Sequence, residues 1–511
     1  MICFLAFALP LGLCFRFPSC LWNFDGVACA AALELGDPVF FFHSNHLLYG
    51  FLGYWFWRAL FFFSSSIRAL SALQLLNPLL SAIGLAGVYR IFLHETRQPW
   101  TALGLTWAMS VSAVFWVWSL EAQVYPLGFA ALAWAVYVLL ASQSTRKYLW
   151  VGLLHGLAVL GHVIHLLWII PALYWIRKER VTMTSFPAVS GGESRQHDGS
   201  ATRLADARSV ASPTKTLGDD GFKTYLTYLA TLGSTVAIPY LSVLFFVLIP
   251  SHRGFPWILT WLRGSAGLTP DRHLAWHWAG WNAPLQWAWG NLPYLWGSFS
   301  PYGTTHVTFL TWTLTVVSLG LFGLGIFLSF RHRADRIWRF SLLWIGVYAL
   351  FLWTWEPRTL LYRMADVIPL GLLLAVGLAR GLSETTRRWC LAGLVGSTLA
   401  VNFVTLIRPM HAAKNNAAYQ QTLALARGTP SDAFYLMEGG VPWIYLLYFT
   451  GRPAWNVTRI PSDLLKTEVT KLKQRAPVFA HESLLQEPMA HVWMRTYRLR
   501  KVVNLPWVEL L

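Results

Sequence analysis

Stretches of about twenty apolar residues, the length that crosses a bilayer as a helix, recur along most of the chain. They lie at 2–21, 68–93, 100–118, 124–141, 148–161, 164–176, 224–249, 304–330, 337–355, 362–379 and 389–407, which makes eleven predicted spans. Hydrocarbon offers the backbone no hydrogen-bond partner, so each stretch is expected to be helical. The fifth and sixth are short and meet at Gly161-His162, so they read as a broken pair or as one long tilted helix. Only 12% of the 511 residues are charged, where a soluble domain carries roughly 25%. Disordered chain and ordinary water-soluble globules are thereby excluded. The formal charge of +17 is expected to sit in cytoplasmic loops and against anionic lipid, with no nucleic acid as partner. The cysteines form no CxxC and no metal spacing.

Lys and Arg set the expected orientation. One set of loops carries Arg97, then Arg146 and Lys147, then Arg331, Arg333, Arg336 and Arg339, then Arg380, Arg387 and Arg388. The short loops on the other side, 119–123 and 356–361, carry only Arg358. The basic side reads as cytoplasmic. Segments 22–67, 119–123, 251–303 and 409–511 then lie outside, together with the C-terminus. Segment 177–223 is rich in Ser, Thr and Gly, poor in aromatics, and reads as a flexible cytoplasmic loop. Segment 251–303 is crowded with Trp and holds Arg253, Arg263 and Arg272. It suits helices lying in the membrane interface, either as plain anchors or as a lid whose arginines meet a lipid phosphate. Beyond 408 hydropathy falls. Helix-like runs alternate with strand-like Ala433–Met437 and Pro477–Ala480, the pattern of a small α/β unit over 409–511. The fold class expected is therefore an all-α polytopic membrane module, 1–408, carrying a small extracytoplasmic α/β domain.

Acids are scarce, so those at the outer membrane boundary stand out: Asp25, Glu34, Asp37, Glu121, Glu356 and Asp366. Asp25 follows the first span directly and reads either as a helix N-cap or as a working carboxylate. Glu121 reads as a solvated loop residue or as a second carboxylate facing Asp25. His155, His162 and His165 recur at spacings of seven and three, on one side of a helix. With His43 and His46 they could hold a divalent metal, although no HExxH is present; donation of hydrogen bonds to a phosphate is the favoured role. Arg358 and Arg363 read as snorkelling anchors or as phosphate ligands.

These residues resemble integral-membrane glycosyltransferases of the GT-C fold, such as protein O-mannosyltransferases and lipid A aminoarabinose transferases, and in particular bacterial members of unassigned substrate. The resemblance rests on Phe24-Asp25-Gly26 with Phe42-His43-Ser44-Asn45-His46, on Glu121-Ala122-Gln123-Val124-Tyr125-Pro126, and on Gly152–Gly156 through Gly161-His162. It implies sugar transfer from a polyprenyl-phosphate donor to a lipid, glycan or protein hydroxyl outside a bacterial inner membrane. By the same analogy Asp25 matches the family's first-loop catalytic aspartate and Glu121 its second-loop acid. Two departures are plain. Gly26 stands where many relatives carry a second acid, and His43-Ser44-Asn45-His46 replaces a histidine-proline-proline-glycine motif. No cofactor is certain from the sequence; a divalent metal is the one candidate. The competing readings are a lipid or glycan flippase without covalent chemistry, a membrane scaffold, and a ligase using pyrophosphate-linked donors.

Overall fold

The computed structural model describes residues 2–36, 38, 42–184, 219–251, 254–262, 280–299, 308–358, 361–457, 462–485, 497–502 and 505–511. Among the described residues each predicted span falls mainly on helix; residues 17–21 of the first are not helical, and 304–307 of the eighth lie outside the described residues. Six helices among the described residues are long and apolar enough to cross a membrane: Ala69–Thr96, Phe222–Leu248, Phe309–His332, Arg336–Trp353, Tyr362–Gly381 and Glu384–His411. Pro99–Ser110 and Ala113–Leu120 make a further span if taken as one, bent by 68° at the break. Ile2–Arg16, Tyr125–Ala141 and Lys147–Gly161 are apolar but shorter. The sixth predicted span begins as the 3-10 turn Val163–Trp168 and becomes α-helical only at Ile169. The chain is an integral membrane protein.

The 68° bend has a local cause. Ser110 donates to the Trp107 carbonyl at 2.9 Å and Ser112 to the Met109 carbonyl at 2.7 Å. Hydroxyls that bond back to carbonyls of the preceding turn favour a bend; the Trp107 carbonyl keeps its bond from the Val111 amide, and that of Met109 takes the Ser112 amide as the helix ends. The short helix that follows, Ala113–Leu120, is buried along its whole length. It delivers Glu121 and Gln123 into the interior, where they are 1% and 0% exposed.

One helix was not foreseen. Leu47–Phe63, inside the segment read as an outer loop, is a continuous apolar helix. Phe51, Trp55, Phe62 and Phe63 on it remain exposed, which suits a helix lying against lipid.

The C-terminal unit holds a five-stranded sheet of order β2-β1-β3-β5-β4, with β1 Phe434–Met437, β2 Ala454–Asn456, β3 Val478–His481, β4 Leu499–Lys501 and β5 Trp507–Leu510. β1 runs parallel to β2 and β3, and β5 runs antiparallel to β3 and β4. β1 is buried on both faces. Phe434 and Leu436 pack toward helix Ser462–Lys473 through Leu465 and Val469. Tyr435 and Met437 pack toward Leu446 of the opposite layer. Parallel strands joined by crossover helices need such two-sided cover.

Candidate active site

The loop between helix Ile2–Arg16 and helix Phe24–Leu35 carries the central acid. Asn23, not Asp25, is the N-cap: its side chain accepts the Asp25 amide at 3.0 Å. Asp25 therefore sits in the first turn with its carboxylate unspent. No hydrogen bond or ion pair among the described residues uses that carboxylate. Asp25 keeps exposed surface. The protein mass around it nevertheless penalises charge and raises its pKa above the ordinary 3.8.

Gly26 explains one departure from the family pattern. A Cβ there would lie 2.6 Å from the Ala122 carbonyl oxygen. The start of the first-loop helix is seated directly on the 121–123 loop, and a second acid has no room beside Asp25.

Glu121 takes a different place from a free second carboxylate. It accepts from the Ser19 hydroxyl and from the Asn23 amide at 3.2 Å. Burial raises its pKa, and the Ser19, Asn23 and Trp22 donors pull it back down. Its carbonyl and that of Gln123 accept the Asn77 side-chain amide. Glu121 thus fixes the backbone that leads to Asp25.

The histidines gather nearby. The rings of His43 and His46 stack at 4.3 Å, and His162 and His165 lie 6.5 Å apart. His43 and His162 both lie near His46. Burial lowers the His43 pKa to about 4 and that of His162 to about 3. Both are neutral imidazoles. Nδ1 of His43 accepts the Asn45 amide at 3.1 Å, and Nδ1 of His162 accepts the Ile164 amide at 3.2 Å. This assigns the proton of each ring to Nε2, leaving one N–H donor apiece.

Tyr362 joins the two halves. Its ring lies 5.5 Å from His162 and 6.0 Å from Tyr125, and Tyr125 lies 5.1 Å from His162. Its side chain lies near those of Asp25 and Glu356. Tyr125 belongs to a stretch that carries the family resemblance, but no role attached to it there, and Tyr362 did not stand out, since an aromatic before a span is commonplace.

Other expected residues lie apart. His165 is buried against Gly128, and its carbonyl meets Nε2 of His155 at 2.7 Å. His155 Nδ1 meets the Tyr228 hydroxyl at 2.7 Å, so His155 is a core residue. Arg363 is 0% exposed and donates to Asn291 and to the carbonyls of Trp287 and Pro357. It staples helix Ala283–Leu295 to the loop before Tyr362. Arg358 remains exposed. Glu34 pairs with Arg68 at 2.8 Å. Burial would raise its pKa, but the bonds from Arg68, the Ala69 amide and Tyr448 outweigh that and lower it. Arg263, Arg272 and Asp37 lie outside the described residues. Trp261 donates to the Phe42 carbonyl at 2.7 Å and Tyr240 to that of Ser44, so the Trp-rich segment packs over the histidine turn. The described His, Cys, Asp and Glu residues form no group of three or more able to hold a metal.

No protein-family model and no curated protein matches the sequence. Solved structures do. ArnT from Cupriavidus metallidurans bound to undecaprenyl phosphate superposes with a TM-score of 0.63 at 10% identity, over 99% of this chain and 97% of that one. The apo form of the same protein gives 0.59 at 11% identity, over 100% and 95%. The chain has the GT-C fold. The oligosaccharyltransferase of Archaeoglobus fulgidus, crystallised with Zn and sulfate, is also similar, with a TM-score of 0.45 at 12% identity over 97% of this chain and 69% of that one. The superposition on ArnT takes in nearly the whole chain, C-terminal unit included.

Proposed function

We propose that this protein transfers a sugar from a polyprenyl-phosphate donor to a hydroxyl acceptor at the extracytoplasmic face of the membrane, with inversion, and that Asp25 is the general base. One observation carries the reading: an unspent, accessible carboxylate of raised pKa stands at the start of the first-loop helix of a chain that superposes end to end on a protein bound to undecaprenyl phosphate.

In the reaction, the acceptor O–H gives its proton to Asp25 as its oxygen attacks the anomeric carbon. The bond to the phosphate oxygen breaks, and its electron pair leaves with the polyprenyl phosphate. Attack opposite the leaving group inverts the centre. A phosphate departs without protonation, so the site needs charge stabilisation in place of a general acid. Arg358 and the Nε2–H groups of His43 and His162 supply donors, and Arg263 and Arg272 are further candidates. His46 lines the same turn. Arg363 and His165 support the wall. The raised pKa makes Asp25 a stronger base than an ordinary aspartate. The described acids and histidines do not fit a metal, and no step is assigned to one. The concentration of Lys and Arg in one set of loops supports the reading that the 177–223 side faces the cytoplasm and the C-terminal unit lies outside, in a bacterial inner membrane.

The test is anomeric. Protein in lipid is supplied with α-linked undecaprenyl-phosphate sugars and envelope lipid as acceptor, and the product is examined by NMR. A β-linked product supports direct displacement with Asp25 as base. Retention of configuration would require a covalent intermediate and would sink the mechanism.

A further inference from the structure

Trp22 has φ of 45°, the left-handed region, where a bulky side chain is an outlier. It stands three residues before Asp25, with Glu121 holding the backbone on one side and the C-terminal segment on the other. Its ring packs on Tyr419 at 4.7 Å and Phe449 at 4.8 Å. The Tyr445 hydroxyl is shared between the Leu21 carbonyl, at 2.7 Å, and that of Trp22. Nδ2 of Asn416 donates to the carbonyls of Cys20 at 3.0 Å and Leu21 at 2.7 Å, and to the Tyr445 hydroxyl at 3.0 Å. The Cys20 amide meets the Met410 carbonyl at 2.7 Å, and His411 meets that of Pro18 at 2.8 Å. All of the partners on this second side come from the far end of the last span or beyond it. Burial raises the Tyr445 pKa further, so its hydroxyl stays a donor at physiological pH.

A docking contact alone would not need a strained residue. Here the strain sits at the last residue before the Asn23 cap, so the 410–449 segment sets the direction in which the helix bearing Asp25 begins. We propose that Tyr445, Asn416 and Trp22 are positioning residues for Asp25, which makes the C-terminal unit part of the reaction centre. This rests on Asp25 being the base.

The experiment follows turnover of undecaprenyl-phosphate sugars by full-length protein in lipid, together with amide hydrogen exchange of segment 17–26. Tyr445→Phe removes only the hydroxyl. It is expected to lower kcat by about tenfold or more with KM unchanged, and to speed exchange in that segment by about tenfold, while the melting midpoint holds. Asn416→Ser keeps a cap acceptor for the Tyr419 amide but is too short to reach the carbonyls, and should show the same pattern. Trp22→Phe keeps a ring between Tyr419 and Phe449 and should retain most activity, whereas Trp22→Ala should not. Wild-type kcat and exchange in Tyr445→Phe overturn the proposal, and so does a fall in rate that only tracks lost stability. If Asp25→Asn abolishes turnover while Tyr445→Phe preserves it, the positioning role alone fails. If Asp25→Asn turns over normally, the base assignment fails and the proposal with it.

Discussion

The carboxylate of Asp25, the proposed base, is left unspent because its neighbours take the structural work: Asn23 caps the helix, and Gly26 lets it sit against Ala122. Its removal has a definite expected size. Asp25→Asn should slow transfer by roughly 10²–10⁴ while donor binding persists, since the lost contribution is proton removal. The sign of the pH dependence follows from the raised pKa. A base works only when deprotonated, so kcat falls as pH drops through that value, and the acid limb lies above the ordinary aspartate range. A limb at the ordinary value would contradict the crowded setting of this carboxylate, which lies near Cys29 and Tyr362. Gly26→Ala places a methyl 2.6 Å from backbone that cannot swing aside. It should cost about a hundredfold in rate through misplacement of Asp25, measured beside an unchanged folded yield. Asp25 and the histidines were legible in the sequence because acids are rare there and polar residues at the outer rim stand out. Tyr362 and the true partner of Glu121 were not. Their meaning lies in contacts across segments distant in sequence, such as Glu121 with Ser19 and Asn23.

Helices were legible for a different reason: hydrocarbon permits little else. Their breaks were harder to see. The bend after Ser110 comes from hydroxyls bonding local carbonyls, and Ser in an apolar run gives only a weak sign of it. Helix Leu47–Phe63 escaped notice because its apolar residues were read with the surrounding loop. Packing between spans depends on small residues. A Cβ at Gly377 would fall 2.0 Å from the Gly325 carbonyl oxygen, which locks helix Val367–Gly381 against Phe309–Ser329. Gly377→Ala should therefore destabilise the bundle by about 1–3 kcal/mol, seen as a lower melting midpoint in detergent. Gly346→Ala, whose added methyl meets nothing within 4 Å, serves as the control and should melt as the wild type does. Equal midpoints for the two variants would contradict the close crossing.

At the scale of the molecule, composition pointed to a polytopic membrane protein, and the GT-C superposition covers the chain from end to end. The coupling of the two ends was not legible. Nothing in the sequence shows that Asn416 and Tyr445 reach back to residues 20–22, because that contact spans some four hundred positions. Orientation is testable on its own. A periplasmically active reporter fused after Leu511 should be active in bacterial cells, and one placed after Arg333 should be silent; the reverse pattern would invert the topology and put Asp25 on the wrong face. The central claim is covalent sugar transfer with Asp25 as base. Its most direct test supplies purified protein in lipid with a panel of polyprenyl-phosphate sugars and envelope acceptors. Mass spectrometry follows donor loss and released polyprenyl phosphate in wild type and Asp25→Asn. The account predicts turnover that falls at least about a hundredfold in the variant. Equal turnover in both proteins, or donor carried across the bilayer without any covalent product, would contradict it.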